Sequence, residues 1–316
     1  GKAGQLDREL GIRFANAVNT LLHSESIDSS QVIAIGSHGQ TIRHLPPEHG
    51  DNIHPFTLQI GDPNTIAHLT GITTVADFRR RDIALGGQGA PLTPLFHRAA
   101  FEKAGIPRAI INIGGIANIT LLYGDGVSTP QGYDTGPGNG LMDSWILRCL
   151  GKDYDNNGQW ASQGRVIQPL LEQFFKTPYL LKKPPKSTGR ELFNPDWLSQ
   201  QLVSFGESTE PADLQATLLE FTAQTISASV RKSHRPIAEA YLCGGGAYNG
   251  ALVSRISALL DPIQVSTTEA LGILPGWVEA MAFAWLAQQT LAGKPGNEPT
   301  VTGALAATVL GAIHPA

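Results

Sequence analysis

The chain has 316 residues, 41% of them hydrophobic, and its 23 lysines and arginines against 27 acids leave a formal charge of -4. That is enough chain for two domains or one large one with a substantial core, and without a broad basic surface it excludes a nucleic-acid binder. No apolar run reaches the roughly 20 residues that cross a bilayer, the start Gly1-Lys-Ala-Gly-Gln lacks the apolar core of a secretion signal, and Cys149 and Cys243 lie in apolar surroundings that favour buried thiols. We therefore expect a cytoplasmic protein with no membrane partner.

In chain order, residues 6–22 carry Leu10, Phe14, Ala17, Val18, Leu21 and Leu22 at the spacing of a helix that faces a core. Residues 32–36 predict a short buried strand, with Ser37-His38-Gly39-Gln40-Thr41 beyond its carboxyl end, where open α/β sheets place their sites. His38 is there a base or a substrate contact, or else a turn histidine held by a backbone carbonyl. The loop over 44–54 holds His44, His49 and His54, with only Glu48 and Asp51 as carboxylates, a spacing that fits no zinc pattern. Residues 56–60 alternate like a strand, 65–69 read as a helix and 72–76 as another strand. The run Asp77-Phe-Arg79-Arg-Arg-Asp82 reads as a salt-bridged surface or, lying before the glycine loop 86–92, as an anion contact. A helix is predicted over 94–104.

Residues 109–113 and 114–123 predict two strands joined by Gly114-Gly115, a turn whose missing side chains let backbone N–H groups approach an anion. The chain is organised around Gly132-Tyr-Asp134-Thr-Gly136-Pro-Gly138-Asn139-Gly-Leu-Met-Asp143, an acid at each end of a glycine-proline turn. A helix over 141–150 follows, with Asn139 as its cap and Asp143 as a first-turn acid. This suits a phosphate or metal-phosphate site; both glycine stretches also read as ordinary tight turns. Residues 159–210 predict an irregular lid or inserted subdomain offering Lys186, Ser187, Thr188 and Arg190, or a solvated connector. From Pro211, Leu214, Leu218, Thr222, Ile226 and Val230 recur every four residues as a long helix. A strand over 238–243 ends in Gly244-Gly245-Gly246-Ala-Tyr-Asn249, the third glycine turn between a strand and a helix, here 251–260. A short strand over 263–265 follows, Glu279 opens a helix that runs to residue 286, and the tail mixes strand-like and helical character.

None of the glycine runs completes a P-loop or a dinucleotide fingerprint, and no nucleophile elbow, H-E-x-x-H helix or C-x-x-C pair is present. What remains is carboxylate chemistry beside a polyphosphate. Asp134, Asp143 and Glu279 are candidates to take a proton from an attacking hydroxyl or water, or to hold Mg²⁺ through water, and no metal-ligand set is assigned. The residues alone reach a nucleotide-dependent phosphotransferase or hydrolase.

Eight stretches carry a more specific resemblance: 37–41, Gln59-Ile-Gly61-Asp62, Asp77-Phe-Arg79-Arg-x-Asp82, 87–92, Asn112-Ile-Gly114-Gly115-Ile-Ala-Asn118, 134–139, Cys243-Gly-Gly-Gly-Ala-x-Asn249 and Val301-Thr-Gly-Ala. Together they resemble the anhydro-N-acetylmuramic acid kinase family over essentially the whole chain. The resemblance implies two RNase H-like α/β domains of the acetate and sugar kinase, Hsp70 and actin type, closing over ATP and an amino sugar, in a cytoplasmic homodimer that uses ATP and Mg²⁺ to recycle cell-wall sugar. One domain is expected over 1–108 plus 301–316 and the other over 109–300, with the insertion at about 159–210. By motif, Asp134 resembles the general base and Glu279 a second acid near the sugar. Asn112, Gly114, Gly115, Asn118, Gly136, Gly138, Gly244, Gly245, Gly246 and Asn249 resemble nucleotide contacts. His38, Gln59, Gly61, Asp62, Arg79, Gln88, Gly89, Ala90 and Pro91 resemble the sugar-contacting segments. The resemblance also places a glycine-, serine- and threonine-rich phosphate-binding hairpin before the helix in which this sequence starts, so that first hairpin is expected to be missing and the residues present to be part of a longer product. A nucleotide-binding module of the same fold without turnover is the alternative.

Overall fold

The computed structural model describes residues 1–47, 54–189 and 191–316; Glu48, His49, Asp51 and Arg190 lie outside the described residues. From the N-terminus the elements are α1 (Lys2–Ser24), β1 (Ile35–Gly36), β2 (Gln40–Leu45), β3 (Phe56–Ile60), α2 (Pro63–Thr70), β4 (Thr74–Ala76), α3 (Arg80–Ala84) and α4 (Pro94–Phe101). Then come β5 (Arg108–Ile113), β6 (Ile116–Leu122), β7 (Gln131–Pro137), α5 (Gly140–Leu150), α6 (Gln168–Phe175), α7 (Pro178–Leu181), α8 (Pro195–Phe205) and α9 (Pro211–Arg231). The last are β8 (Glu239–Cys243), α10 (Gly250–Leu260), β9 (Gln264–Thr267), α11 (Val278–Leu291), α12 (Pro299–Thr302) and β10 (Ala312–His314). Helix ends follow local chemistry. Prolines open α2, α6, α7, α8, α9 and α12, where the missing N–H is not needed, and Gly71 and Gly151 close α2 and α5 in the left-handed conformation.

The chain divides into two compact units, residues 1–96 with 280–316, and residues 97–279. In the first, β4 lies between β1, parallel to it, and β10, antiparallel, while β2 and β3 form a separate antiparallel pair. Val75, Phe78, Leu92, Phe283, Leu286, Ala287 and Leu310 make one core cluster there. The face that α1 buries differs from the apolar stripe expected of it. Only Gly11 and Ala15 are fully buried, whereas Leu21 is exposed, because small residues let the helix approach the Asp62 carbonyl at the start of α2.

The second unit is built on a five-stranded sheet in the order β7-β6-β5-β8-β9, with only β6 antiparallel to the rest. Counted from β5 this is 3-2-1-4-5, the RNase H-like α/β arrangement. β5 and β8 are nearly continuous apolar runs because both of their faces are covered. On one face lies α9, buried along most of its length, as its four-residue repeat predicts. Residues 159–210 are more regular than expected: α6, α7 and α8 lie within them, and Phe174, Phe193 and Trp197 pack on Phe221 of α9 with ring centroids 5.3, 6.4 and 6.1 Å away. Local spacing hid these helices because what fixes them is a long-range aromatic cluster. Phe221 has no exposed surface, so Phe221→Ala removes about 4 kcal/mol of stability, measurable as a fall in the urea midpoint at unchanged slope.

Candidate active site

Asp134 lies inside β7, 5% exposed, and not on the turn that its glycine and proline neighbours suggest. Pairing with β6 continues to Pro137, and it overrides the local turn preference. The β6–β7 ladder shifts register between Ala117 and Asn118, which brings Asp134 opposite Asn118. Asn118 pairs with Asn112 on β5, and Asn112 with Cys243 on β8. Directly opposed residues share a sheet face, with Cβ atoms about 5 Å apart. One row across four strands therefore runs Asp134, Asn118, Asn112, Cys243, while Ile111, Ile113, Ala117 and Ile119 turn into the core on the other face.

The segment after α6 holds Asp134 in place. The Thr188 N–H donates to Asp134 Oδ2 (2.9 Å), the Tyr179 hydroxyl donates to the Asp134 carbonyl (2.8 Å), and the Asp134 N–H reaches the Lys186 carbonyl (3.4 Å). Lys186 is buried, its ammonium over the rings of Tyr179 and Tyr133 at 4.6 and 5.7 Å. Burial, then the Lys232 charge, bring its pKa down to about 8 against the opposing pull of Asp134. Burial likewise pushes the Tyr179 phenol up, with Asp134 adding to it. The sequence offers Lys186 and Thr188 as lid or connector residues, and no spacing ties them to a residue some fifty positions earlier.

The glycine turns close on one another. The N–H groups of Gly138, Asn139 and Gly140 donate to the carbonyls of Gly115, Gly114 and Gly115 at 3.0, 2.8 and 3.2 Å, and any Cβ at Gly138 would collide with the Gly114 carbonyl. The amides at the start of α5 are thus engaged with the β5–β6 hairpin. Asn139 stands at the cap position without capping: its side-chain amide donates to Asp143 Oδ2 at 2.7 Å. Beneath the turn, Thr222 of α9 donates its hydroxyl to the Gly138 carbonyl at 2.8 Å, and Gly136 leaves room for Thr225. The turn after β8 reaches the same hairpin, since a Cβ at Gly244 would strike Asn112 Oδ1 and the Ile113 carbonyl, and one at Gly246 the Ile113 side chain. Gly245 faces the Asn139 amide. The glycine candidates and Asn112 therefore gather at the carboxyl ends of β5 and β8. Asn249 caps α10, its Oδ1 accepting from the Leu252 N–H at 3.2 Å, while Asn157 accepts from the Gly250 N–H at 2.8 Å. Glu279 is exposed in the first turn of α11, and its charge adds to burial in pushing up the Cys243 thiol.

In the first unit His38, Gln59 and Gly61 line one cavity of about 270 Å³, together with Asp7, Asp77 and Arg80. His38 keeps a backbone hydrogen bond at Gly39, as a turn histidine does, and its other ring nitrogen faces Arg79. Its Nε2 accepts from Arg79 Nε and Nη2 at 3.2 and 2.9 Å, and its ring lies against Phe283. Burial, then the guanidinium, depress its pKa to about 3, so the imidazole is a neutral acceptor that orients Arg79 rather than a base. Arg79 Nη1 donates to the Gly89 carbonyl at 2.7 Å, which joins the arginine run to the glycine loop. Gln59 spends its amide on Thr41 and Thr57 (3.1 and 2.7 Å). Asp62 caps α2 through the Asn64 and Thr65 N–H groups. Gln88 donates to the Pro47 carbonyl at 3.0 Å, and Ala90 and Pro91 are joined by a cis peptide. Asp82, fully buried, organises this loop: it accepts from the Gly89 N–H, Asn297 and Thr302, each at 2.7 Å. Among the described residues no group of three or more His, Cys, Asp and Glu could hold a metal ion, and no helix is long and apolar enough to cross a membrane.

The family model for anhydro-N-acetylmuramic acid kinase matches residues 1–316. The chain belongs to that family. Its relatives include the anhydro-N-acetylmuramic acid kinase of Coxiella burnetii (strain Dugway 5J108-111), 55% identical over 98% of this chain and 82% of that protein. The enzyme of the same name from Shewanella pealeana is 53% identical over 100% of this chain and 84% of its own. Among solved structures, the activator of 2-hydroxyisocaproyl-CoA dehydratase from Clostridium difficile with bound ADPNP is 14% identical, with a TM-score of 0.39, over 74% of this chain and 87% of that one, a likeness too distant to add to the family match. In this member of the anhydro-N-acetylmuramic acid kinase family, the lowered Lys186 pKa has a consequence for stability. The unfolded chain binds more protons than the folded one between about pH 8 and the ordinary lysine value of 10.5, so this group makes stability rise with pH across that window. Urea unfolding of the wild type should show the rise between pH 7.5 and 9.5, and Lys186→Met should flatten it.

Proposed function

We propose that this protein is an ATP-dependent kinase that hydrolytically opens the 1,6-anhydro ring of anhydro-N-acetylmuramic acid and phosphorylates O6, giving N-acetylmuramic acid 6-phosphate in cell-wall recycling. The observation that carries the mechanism is the buried carboxylate of Asp134, fixed through Oδ2 by the Thr188 N–H and standing in a row with the asparagines that lead to the glycine turns. Asp134 takes a proton from a water that attacks C1. The C1–O6 bond breaks, and the released O6 accepts the γ-phosphoryl group. A fixed base of this kind supplies about 10²–10⁴ in rate.

Asn112 and the turns at Gly114-Gly115, Gly136-Gly138 and Gly244–Gly246 form the nucleotide end of the site, where the missing Cβ atoms of Gly138, Gly244 and Gly246 let the turns pack against one another. Asn249 fixes the start of α10 behind the last turn. Glu279 is the second acid on the sugar side. His38, Gln59, Gly61 and the Arg79–Gly89 connection form the sugar-binding segments, with Asp62, Gln88, Ala90 and Pro91 shaping them. Mg²⁺ bound with the nucleotide would supply charge neutralisation at the transferring phosphate. It binds characteristically through substrate phosphates, waters and one or two carboxylates, for which Asp134 and Asp143 are the candidates. A cytoplasmic homodimer, with the two compact units as its kinase domains, belongs to the same proposal.

The test is coupled ADP release with Mg-ATP and the anhydro sugar. Sugar-dependent turnover should fall about 10³-fold in Asp134→Asn, and ATP bound without ADP release in the wild type would return the non-catalytic binding module instead. In the same preparation Gly138→Ala, whose methyl group displaces the Gly114 carbonyl, should weaken ATP binding at least tenfold by calorimetric titration.

A further inference from the structure

We propose that Asn157 is a positioning residue for nucleotide binding: its side chain ties the Gly244–Asn249 turn to α9, the helix that also supports the Gly136–Gly138 turn, and so sets the spacing of the two turns before a nucleotide arrives. The inference rests on the nucleotide role proposed for the glycine turns. A polyphosphate held between two loops binds tightly when their separation is fixed beforehand, because binding then need not also order them.

Asn157 has φ 55° and ψ 19°, in the left-handed region, and among the described residues of the second unit it is the only one other than glycine with a positive φ. That conformation is costly for a residue with a side chain and persists where surrounding contacts impose it. Here Asn157 Oδ1 accepts from the Gly250 N–H at 2.8 Å, an amide in the first turn of α10 that has no partner within its own helix. Gly158, left-handed as well at φ 68°, approaches the same place so closely that a Cβ on it would strike Asn249 Oδ1 and Ala251. A Cβ at Gly250 would in turn strike Asn157 Oδ1. The Asn157-Gly158 pair is thus fitted to the end of the Gly244–Asn249 turn.

The other end of this bracket stands on the core. Asp155 is buried, and its two carboxylate oxygens accept from the Trp160 and Ala161 N–H groups at 2.9 Å each. Gln215 Nε2 of α9 reaches the same carboxylate at 3.4 Å, and the Asp155 carbonyl accepts from the Gly158 N–H at 3.1 Å. Ala161 belongs to the core cluster that α9 helps to build. The same helix carries Thr222, whose hydroxyl holds the Gly138 carbonyl. One buried helix therefore reaches the Gly136–Gly138 turn directly and the Gly244–Asn249 turn through Asp155 and Asn157. None of these contacts is made to Asp134, so loosening the bracket acts on the nucleotide and leaves the base in place.

The experiment titrates ATP calorimetrically into the protein as its gene encodes it, as wild type, Asn157→Gly, Asn157→Ala and Asn157→Asp, and follows sugar-dependent ADP release with each. Glycine keeps the backbone conformation without the acceptor, alanine keeps neither, and aspartate keeps an acceptor oxygen at the same reach. Loss of the hydrogen bond should raise the ATP Kd and the KM for ATP about tenfold in Asn157→Gly and Asn157→Ala, with kcat at saturating ATP and the KM for sugar within about threefold of wild type. Asn157→Asp should bring the ATP Kd back to within about threefold. A purely structural role would lower the thermal midpoint and the active fraction without moving the Kd of the folded protein. Should the glycine and alanine variants not fold, the wild type decides by hydrogen exchange: the Gly250 amide should be protected before ATP is added, and protection that appears only with ATP would overturn the preset spacing. An ATP Kd in folded Asn157→Gly within about twofold of wild type, or no recovery in Asn157→Asp, would overturn the proposal while Gly138→Ala still weakens ATP binding. A wild type that binds no ATP would overturn the nucleotide reading and this inference with it.

Discussion

The structure of the site depends on the register shift between Ala117 and Asn118 in the β6–β7 ladder. Side chains alternate along a strand, so a slip of one residue exchanges the two faces. With this pairing Tyr133 packs against the core and Asp134 stands on the other face, opposite Asn118. Moved by one residue, the strand would turn the carboxylate into an apolar cluster that contains Ile111, Ile119 and Phe221, where a charge has no partner.

A carboxylate 5% exposed also needs donors, and the surrounding elements supply them from distant parts of the chain. The 177–189 segment brings the Thr188 N–H to one carboxylate oxygen and the Tyr179 hydroxyl to the main-chain carbonyl. From beneath, α9 anchors the following turn through Thr222, and the aromatic cluster on Phe221 fixes the helices that deliver the segment. Packing of the second unit and orientation of its base are thus one problem with one solution. In the first unit Asp82 plays the corresponding part, gathering the Gly89 loop, Asn297 and Thr302, while His38 orients Arg79 as a neutral acceptor.

Much of this is legible in the residues. The four-residue repeat of α9 and the apolar runs of β5 and β8 follow from periodicity, and the glycines at 138 and 244 mark places where a Cβ would strike a carbonyl. The motifs also carry the family, which the match over residues 1–316 bears out. Other features are decided by partners far away in the sequence. Asp134 reads as a turn residue because aspartate, glycine and proline favour turns, and its strand exists only through pairing with β6. The contact of His38 with Arg79 spans 41 positions, and that of Thr188 with Asp134 spans 54. The buried face of α1 escapes a hydrophobic reading because close approach there depends on Gly11 and Ala15, not on large side chains.

The central claim is that one carboxylate activates water at C1 and that the oxygen set free there is the phosphoryl acceptor. Mass spectrometry of the products formed in H₂¹⁸O tests it most directly. The account predicts one ¹⁸O per sugar phosphate, located on C1, with unlabelled phosphate at O6 and no labelled inorganic phosphate. Product lacking ¹⁸O at C1, or ¹⁸O appearing in inorganic phosphate at the rate of ADP release, would contradict it.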